Sequence, residues 1–295
     1  MKSASTDPVF SYASEEVGAL SRVLIRIIER LSGQPHVKQL YEEYREKHRP
    51  SELFWDDALD TLRLTLRMNR SPAEAIPARG PLVVIANHPF GVVDGIILSA
   101  LVARRRADFQ IMTHRVLHQA PEVRDHIIPV DFRGTRTALE VNVQGRRKAR
   151  DLLAAGGALI VFPSGGVALS DGPLGRAVDL DWKTLTAGLV LGSDADVLPI
   201  FFHGQNSRLY QIAGNILQTL KLSLLFHEVV NKIGTTIDVT IGELIPNARL
   251  QAIGDRQAVI DFLKTETHAL CRLPPSGGTA TLIDAPGPAA GRRQI

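Results

Sequence analysis

The sequence predicts an α/β protein: a mainly parallel central sheet with helices on both faces, preceded by N-terminal amphipathic helices. Two observations carry this expectation. Short runs rich in Val, Ile and Leu recur through the middle of the chain, and stretches of helical periodicity separate them. A strand buried on both faces reads as an unbroken apolar run, and strands alternating with helices build parallel sheets. A third observation bounds the class. No run of about 18 apolar residues exists, so no membrane-spanning helix is expected.

The elements follow in order. Residues 17–31 place Val17, Leu20, Leu24, Ile27, Ile28 and Leu31 on one helical stripe and Arg22, Arg26 and Arg30 on another. Such a helix suits either core packing with a solvated basic face or an anionic membrane surface. Residues 36–47 and 50–70 continue the helical pattern, the second with a cap and first turn at Pro50-Ser51-Glu52. From Gly80 the texture changes. Strands are expected at 82–86, 109–112, 127–130, 158–162, 197–202 and 237–241. Helices are expected at 92–103, 115–126, 137–155, 182–191, 207–232 and 250–272. The resulting domains are an N-terminal helical segment over 1–79, an α/β domain over 80–272 and a loose tail over 273–295, where Pro, Gly and Ala dominate.

Composition narrows the function. The chain has 295 residues, 44% hydrophobic and 22% charged, an ordinary globular mixture. One cysteine, Cys271, excludes an intramolecular disulfide framework and a cysteine-based zinc or iron–sulfur site. A net charge of +3 is too mild for a dedicated nucleic-acid binder, so no nucleic-acid partner is expected. The N-terminal residues lack the apolar stretch of a secretory signal.

The most informative stretch is Asn87-His88-Pro89-Phe90-Gly91-Val92-Val93-Asp94-Gly95, which follows one expected strand and opens a helix. Parallel sheets bind ligands outside the carboxyl ends of their strands, and His88 falls there. Pro89 and Gly91 shape a turn that folds Asp94 back towards the imidazole. A carboxylate bonded to one ring nitrogen fixes the tautomer and makes the other nitrogen a better base. The plainer reading of the pair is a helix-capping Asp and an unrelated turn histidine.

This stretch resembles the signature of the glycerolipid acyltransferases of the lysophosphatidate acyltransferase type. Ile128-Pro129-Val130-Asp131-Phe132-Arg133, Phe162-Pro163-Ser164-Gly165-Gly166 and Val197-Leu198-Pro199-Ile200 resemble the family's later blocks, in order. His203-Gly204-Gln205-Asn206-Ser207 resembles an element of the haemolysin-like branch, which includes lyso-ornithine lipid acyltransferases. Two departures stand out: five residues separate His88 from Asp94 where four are common, and the third block carries Gly166 where an acid is usual.

The resemblance implies acyl transfer from a thioester to a lysolipid hydroxyl, with His88 as general base and Asp94 orienting it. Asn87, Arg133, Arg136, Pro163, Ser164, Gly165 and Gly166 are the substrate-binding candidates. The arginines would hold an anionic group, and amides of Gly165, Gly166 or the turn after His88 would meet the oxyanion. The partners implied are a lysolipid acceptor, an acyl carrier protein or coenzyme A thioester as co-substrate, and an anionic membrane surface. No cofactor and no metal is expected, and the place implied is the cytoplasmic side of the inner membrane, held peripherally. The alternative is a lipid-binding or carrier-interacting protein on the same fold without turnover. A third reading makes Ser164 the nucleophile of a hydrolase, although its flanks are not Gly-x-Ser-x-Gly.

Other features have quieter readings. His114 and His118 would share a helix face at a spacing metals use, but lack a third ligand. Arg104-Arg105-Arg106 and Arg146-Arg147-Lys148 read as solvated faces or headgroup sites.

Overall fold

The computed structural model describes residues 30, 32–114, 120–131, 135–172, 175–216, 224–273 and 279–280. The amphipathic stretch expected at 17–31 lies outside these except for Arg30, and so do His118 and Arg133.

The sheet has eight strands in the order β10-β1-β9-β8-β2-β5-β3-β4. They are β1 (Thr65–Met68), β2 (Leu82–Ala86), β3 (Phe109–His114), β4 (Ile127–Val130), β5 (Ala158–Val161), β8 (Asp196–His203), β9 (Thr236–Ile241) and β10 (Thr279–Ala280). β6 (Leu169–Ser170) and β7 (Ala177–Val178) form a separate antiparallel hairpin. Five of the seven pairings in the large sheet are parallel; β8 with β9 and β1 with β10 are antiparallel. The expected mixed, mainly parallel architecture is what forms.

β2 is central, between β5 and β8, and buried throughout. Its side chains alternate between two cores. Leu82, Val84 and Ala86 join the core packed by α1 (Gln34–Glu46), α2 (Phe54–Thr61) and α4 (Val92–Ala103). Val83 and Ile85 join the opposite core, with α5 (Arg136–Ala154), α6 (Leu185–Leu191), α9 (Asn247–Ile253) and α10 (Arg256–Ala269). The period-two pleat explains why such a strand shows no polar face.

Five expected elements are corrected. The helix at 50–70 is only the α2 stretch, and Thr65–Met68 is a strand paired with Thr236–Val239. The sheet therefore begins before Gly80, and the N-terminal helices share its core rather than forming a separate segment. Chain 279–280, expected to be loose tail, adds β10 to Leu66 and Arg67. His114 ends β3 rather than lying on a helix, so it shares no helix face with His118; of the helix expected at 115–126, residues 115–119 lie outside the described residues and Pro121–His126 is a 3₁₀ turn. The helix expected at 207–232 is α7 (Arg208–Ile216) and α8 (Leu225–Lys232), with 217–223 outside the described residues. That at 250–272 breaks at Gly254, whose φ is +73°.

Within the Arg104-Arg105-Arg106 run Arg105 is exposed, Arg104 half-buried and Arg106 buried. Arg104 pairs with Asp56 at 2.8 Å and Arg105 donates to the Ile76 carbonyl. Arg106 is buried, bidentate to Asp108, and donates to the carbonyls of Gly80 and Gly156 at 2.8 and 2.6 Å. It satisfies backbone acceptors at the amino ends of the strands, the edge away from His88.

Candidate active site

His88 stands two residues beyond the carboxyl end of β2, and Asp94 occupies the first turn of α4. The turn between them is made by Gly91, whose φ of +82° favours glycine. A Cβ there would also lie 2.8 Å from Leu225 Cδ2 and 3.1 Å from Val167 Cγ2, so glycine is required twice. With the chain reversed, Asp94 Oδ2 accepts hydrogen bonds from Phe90 N–H at 2.8 Å and Gly91 N–H at 2.9 Å, and lies 3.0 Å from His88 Nδ1. The carboxylate caps the helix and orients the histidine at once, which merges the two readings that the sequence left apart.

Asp94 is fully buried. Burial pushes its carboxyl up, and His88 and the two amides oppose that rise. With Nδ1–H directed at Asp94, Nε2 of His88 is the nitrogen left for substrate. The imidazole stacks on Phe162, with centroids 4.0 Å apart and planes 21° apart. Lys232 lies behind the dyad, its ammonium 4.4 Å from the Phe90 ring centroid; burial lowers its pKa, and Glu228 and Asp94 oppose that.

The dyad faces a cavity of about 630 Å³. His88, Ser164, Gly165 and Gly166 line its mouth side. Gly95 and Ile96 of α4, Ile111 of β3, and Tyr41, Tyr44, Phe54 and Trp55 of the N-terminal helices line the rest. Trp55 packs against Phe109, which is level with Leu82 through Ala158, six residues before His88 along the strand direction. The cavity thus reaches from His88 to Trp55 on the N-terminal helices.

The other expected site residues separate. Asn87 is buried, and its side chain is committed to one backbone residue: Nδ2 donates to Phe202 O at 2.9 Å and Oδ1 accepts from Phe202 N–H at 2.7 Å. Asn69, just past β1, does the same for Ile241. Asn87 thus extends the sheet ladder beyond β2. Pro163 is buried and its carbonyl accepts from Lys183 N–H. Ser164 is buried, and its hydroxyl donates to Gly166 O at 2.9 Å rather than to His88, which does not suit a nucleophile. Gly165 N–H is used by Phe162 O, whereas Gly166 N–H meets no partner among the described residues and remains a candidate oxyanion donor. Arg136 opens α5 fully exposed, 3.4 Å from Glu140. Arg133 lies outside the described residues. Among those residues no cluster of three or more His, Cys, Asp or Glu could hold a metal ion.

Sequence reasoning missed Asp179, whose carboxylate accepts the His88 backbone N–H at 3.0 Å. It stands 91 positions downstream, in an irregular stretch after β7, and no local pattern marks it. It also passed over Phe162 as a ring support, although the Phe-Pro pair was in plain view.

His88, hydrogen-bonded to the buried Asp94 carboxylate, thus lines a largely apolar cavity. Residues 41–273 match the family described as Acyltransferase, and the chain belongs to that family. It is similar to the lyso-glycine lipid O-acyltransferase of Phocaeicola vulgatus, 25% identical over 184 residues, 59% of this chain and 62% of that protein. The Bacteroides thetaiotaomicron protein of the same name is 24% identical over 181 residues, 59% of this chain and 64% of the relative. The chain thus spans under two thirds of the length of these curated relatives. A solved structure, the 1-acyl-sn-glycerophosphate acyltransferase PlsC of Thermotoga maritima, is 16% identical, covers 86% of this chain and 97% of its own, and superposes with a TM-score of 0.49.

Proposed function

We propose that the protein transfers a fatty acyl group from an acyl thioester, carried on acyl carrier protein or coenzyme A, to the hydroxyl of a lysolipid. The observation that carries this is the hydrogen-bonded His88–Asp94 pair at the mouth of the apolar cavity. His88 Nε2 takes the proton of the acceptor hydroxyl as its oxygen attacks the thioester carbonyl. Asp94 and the face of Phe162 stabilise the imidazolium that forms, the second as a cation over an aromatic ring. Gly166 N–H meets the oxyanion, and the imidazolium returns the proton to the departing thiolate as the tetrahedral intermediate collapses. No covalent enzyme intermediate is needed.

A largely apolar cavity of about 630 Å³ suits a fatty acyl chain. The relatives' printed names favour lyso-glycine lipid as the first acceptor to try. Arg133, Arg136 and Lys183, a cation that lines the cavity, are the candidates for an anionic headgroup. Membrane attachment is part of the same proposal: among the described residues no helix is long and apolar enough to cross a bilayer, and exposed Val178, Leu180, Leu209 and Ile212 suit shallow contact.

The test is a radiolabelled acyl-donor assay with lyso-glycine lipid, lyso-ornithine lipid and lysophosphatidate, run on the native protein and on a folded His88→Ala variant. Transfer by the first and none by the second is expected. Turnover by folded His88→Ala overturns the mechanism, and no transfer to any acceptor by the native protein favours the lipid-binding alternative.

A further inference from the structure

The main chain of His88 is held as firmly as its ring. Its carbonyl accepts from Ala168 N–H at 2.8 Å, and its N–H donates to Asp179 Oδ1 at 3.0 Å. Asp179 is buried, and Oδ2 accepts from the Trp182 indole N–H at 3.0 Å, with His268 Nε2 of α10 at 3.6 Å. One residue beyond Trp182, Lys183 N–H donates to Pro163 O. The short segment 179–183 therefore ties the loop after β2, which carries His88, to the loop after β5, which carries Phe162 and Gly166. Among the described residues only Asp94 and Asp179 place a carboxylate oxygen within hydrogen-bond distance of His88.

A buried carboxylate costs several kcal/mol unless its charge is satisfied, so a backbone amide and an indole are strong reasons for it to sit where it does. Burial alone would raise its pKa; His268, the His88 amide and Trp182 outweigh that and hold it below the ordinary carboxylate range. It is therefore an anion beneath the backbone of the residue that becomes cationic during proton transfer.

We infer that Asp179 is a positioning residue for His88: its hydrogen bond to the His88 N–H sets the height of the imidazole between Asp94 and the cavity mouth. This rests on the acyl-transfer reading for its kinetic consequence, but not for its geometric one. The role is transmitted through His88, so it acts on the rate of the bound complex and not on affinity. A displacement of the order of 1 Å at a reacting group costs about 100-fold in rate.

Three measurements test it. In Asp179→Ala, kcat should fall 10- to 100-fold while KM for donor and acceptor stays within twofold, since substrate touches other groups. In Asp179→Asn the amide oxygen still accepts from His88, but its NH₂ meets the Trp182 N–H. The double variant Asp179→Asn with Trp182→Phe removes that conflict and should recover kcat to within about threefold of native. The third readout needs no turnover: hydrogen exchange of the His88 backbone amide, followed by NMR, should accelerate at least tenfold in Asp179→Ala and stay near native in the double variant. Unchanged kcat in Asp179→Ala, a loss confined to KM, or unchanged His88 exchange overturns the inference. A native protein that transfers nothing sinks the acyl-transfer reading, while the exchange measurement still decides Asp179.

Discussion

The imidazole of His88 lies on the ring of Phe162, centroids 4.0 Å apart and planes 21° apart, and these residues come from different strand ends, β2 and β5. Asp94 fixes one edge of the imidazole; Phe162 fixes its plane. A flat aromatic face also favours the cationic form that a base acquires when it takes a proton. Phe162→Leu keeps apolar volume and removes the face, so kcat should fall about 10- to 100-fold with little change in KM. Steady-state kinetics against both substrates check this.

The two carboxylates flanking His88 respond to pH in opposite directions. Asp94 is raised above the ordinary carboxylate range, so its ionisation works against the fold: stability is greatest below the unfolded value, about pH 4, and falls as pH rises through the folded one. Asp94→Asn, which keeps an acceptor for Phe90 and Gly91, should melt higher than native, the gap widening as pH rises from about 4. The same variant should lose about 10²–10⁴ in rate. Melting curves from pH 3 to 8 and the transfer assay report the two effects.

Asp179 is lowered, so its contribution is present above the unfolded value and is lost as pH falls through the folded one. Asp179→Ala should melt below native at neutral pH, with the difference shrinking as pH falls below the ordinary carboxylate value of about 3.9. A difference that widened in acid would contradict the assignment.

Gly91→Ala combines a positive φ with a Cβ 2.8 Å from Leu225. About 2–3 kcal/mol of stability should be lost, as measured by denaturant unfolding. Activity should fall as well, because Gly91 N–H is one of the donors on Asp94.

Gly95 lines the cavity opposite Ile111, and a Cβ there would sit 3.5 Å from Ile111 Cδ1 in ordinary contact. Gly95 follows Asp94 directly, so Gly95→Leu should narrow the cavity close to the dyad and cut transfer from long donors more than tenfold relative to short ones. Competition between short and long donors measures it, and an unchanged chain-length profile would place the acyl group elsewhere.

Strands β2, β5 and β8 were legible because each is an apolar run in the middle of the sheet, buried on both faces, and β3, β4 and β9 because each keeps buried Phe, Ile or Val in a short run. β1 was not. Thr65–Met68 is four residues long, and its Arg67 is exposed and paired with Asp238. Such a segment, following a helix directly, scans as more helix. Its neighbour β10 is two residues in a stretch whose composition reads as tail, so only the partner strand gives it structure.

The order of residues alone determined that His88 and Asp94 meet, because they are close in the chain and a strand, a turn and a helix start are local events. It also determined the class of chemistry, through residue types that few other purposes bring together. Tertiary structure decided everything that depends on distant segments meeting. It brought Phe162 under the imidazole and Asp179 against its backbone, gave Asn87 to Phe202, and turned Arg106 inward to carbonyls. It also joined the N-terminal helices to the sheet so that a hydrocarbon-sized cavity lies between them. Those partners lie from 26 to 115 positions apart along the chain, and no local pattern encodes such pairings.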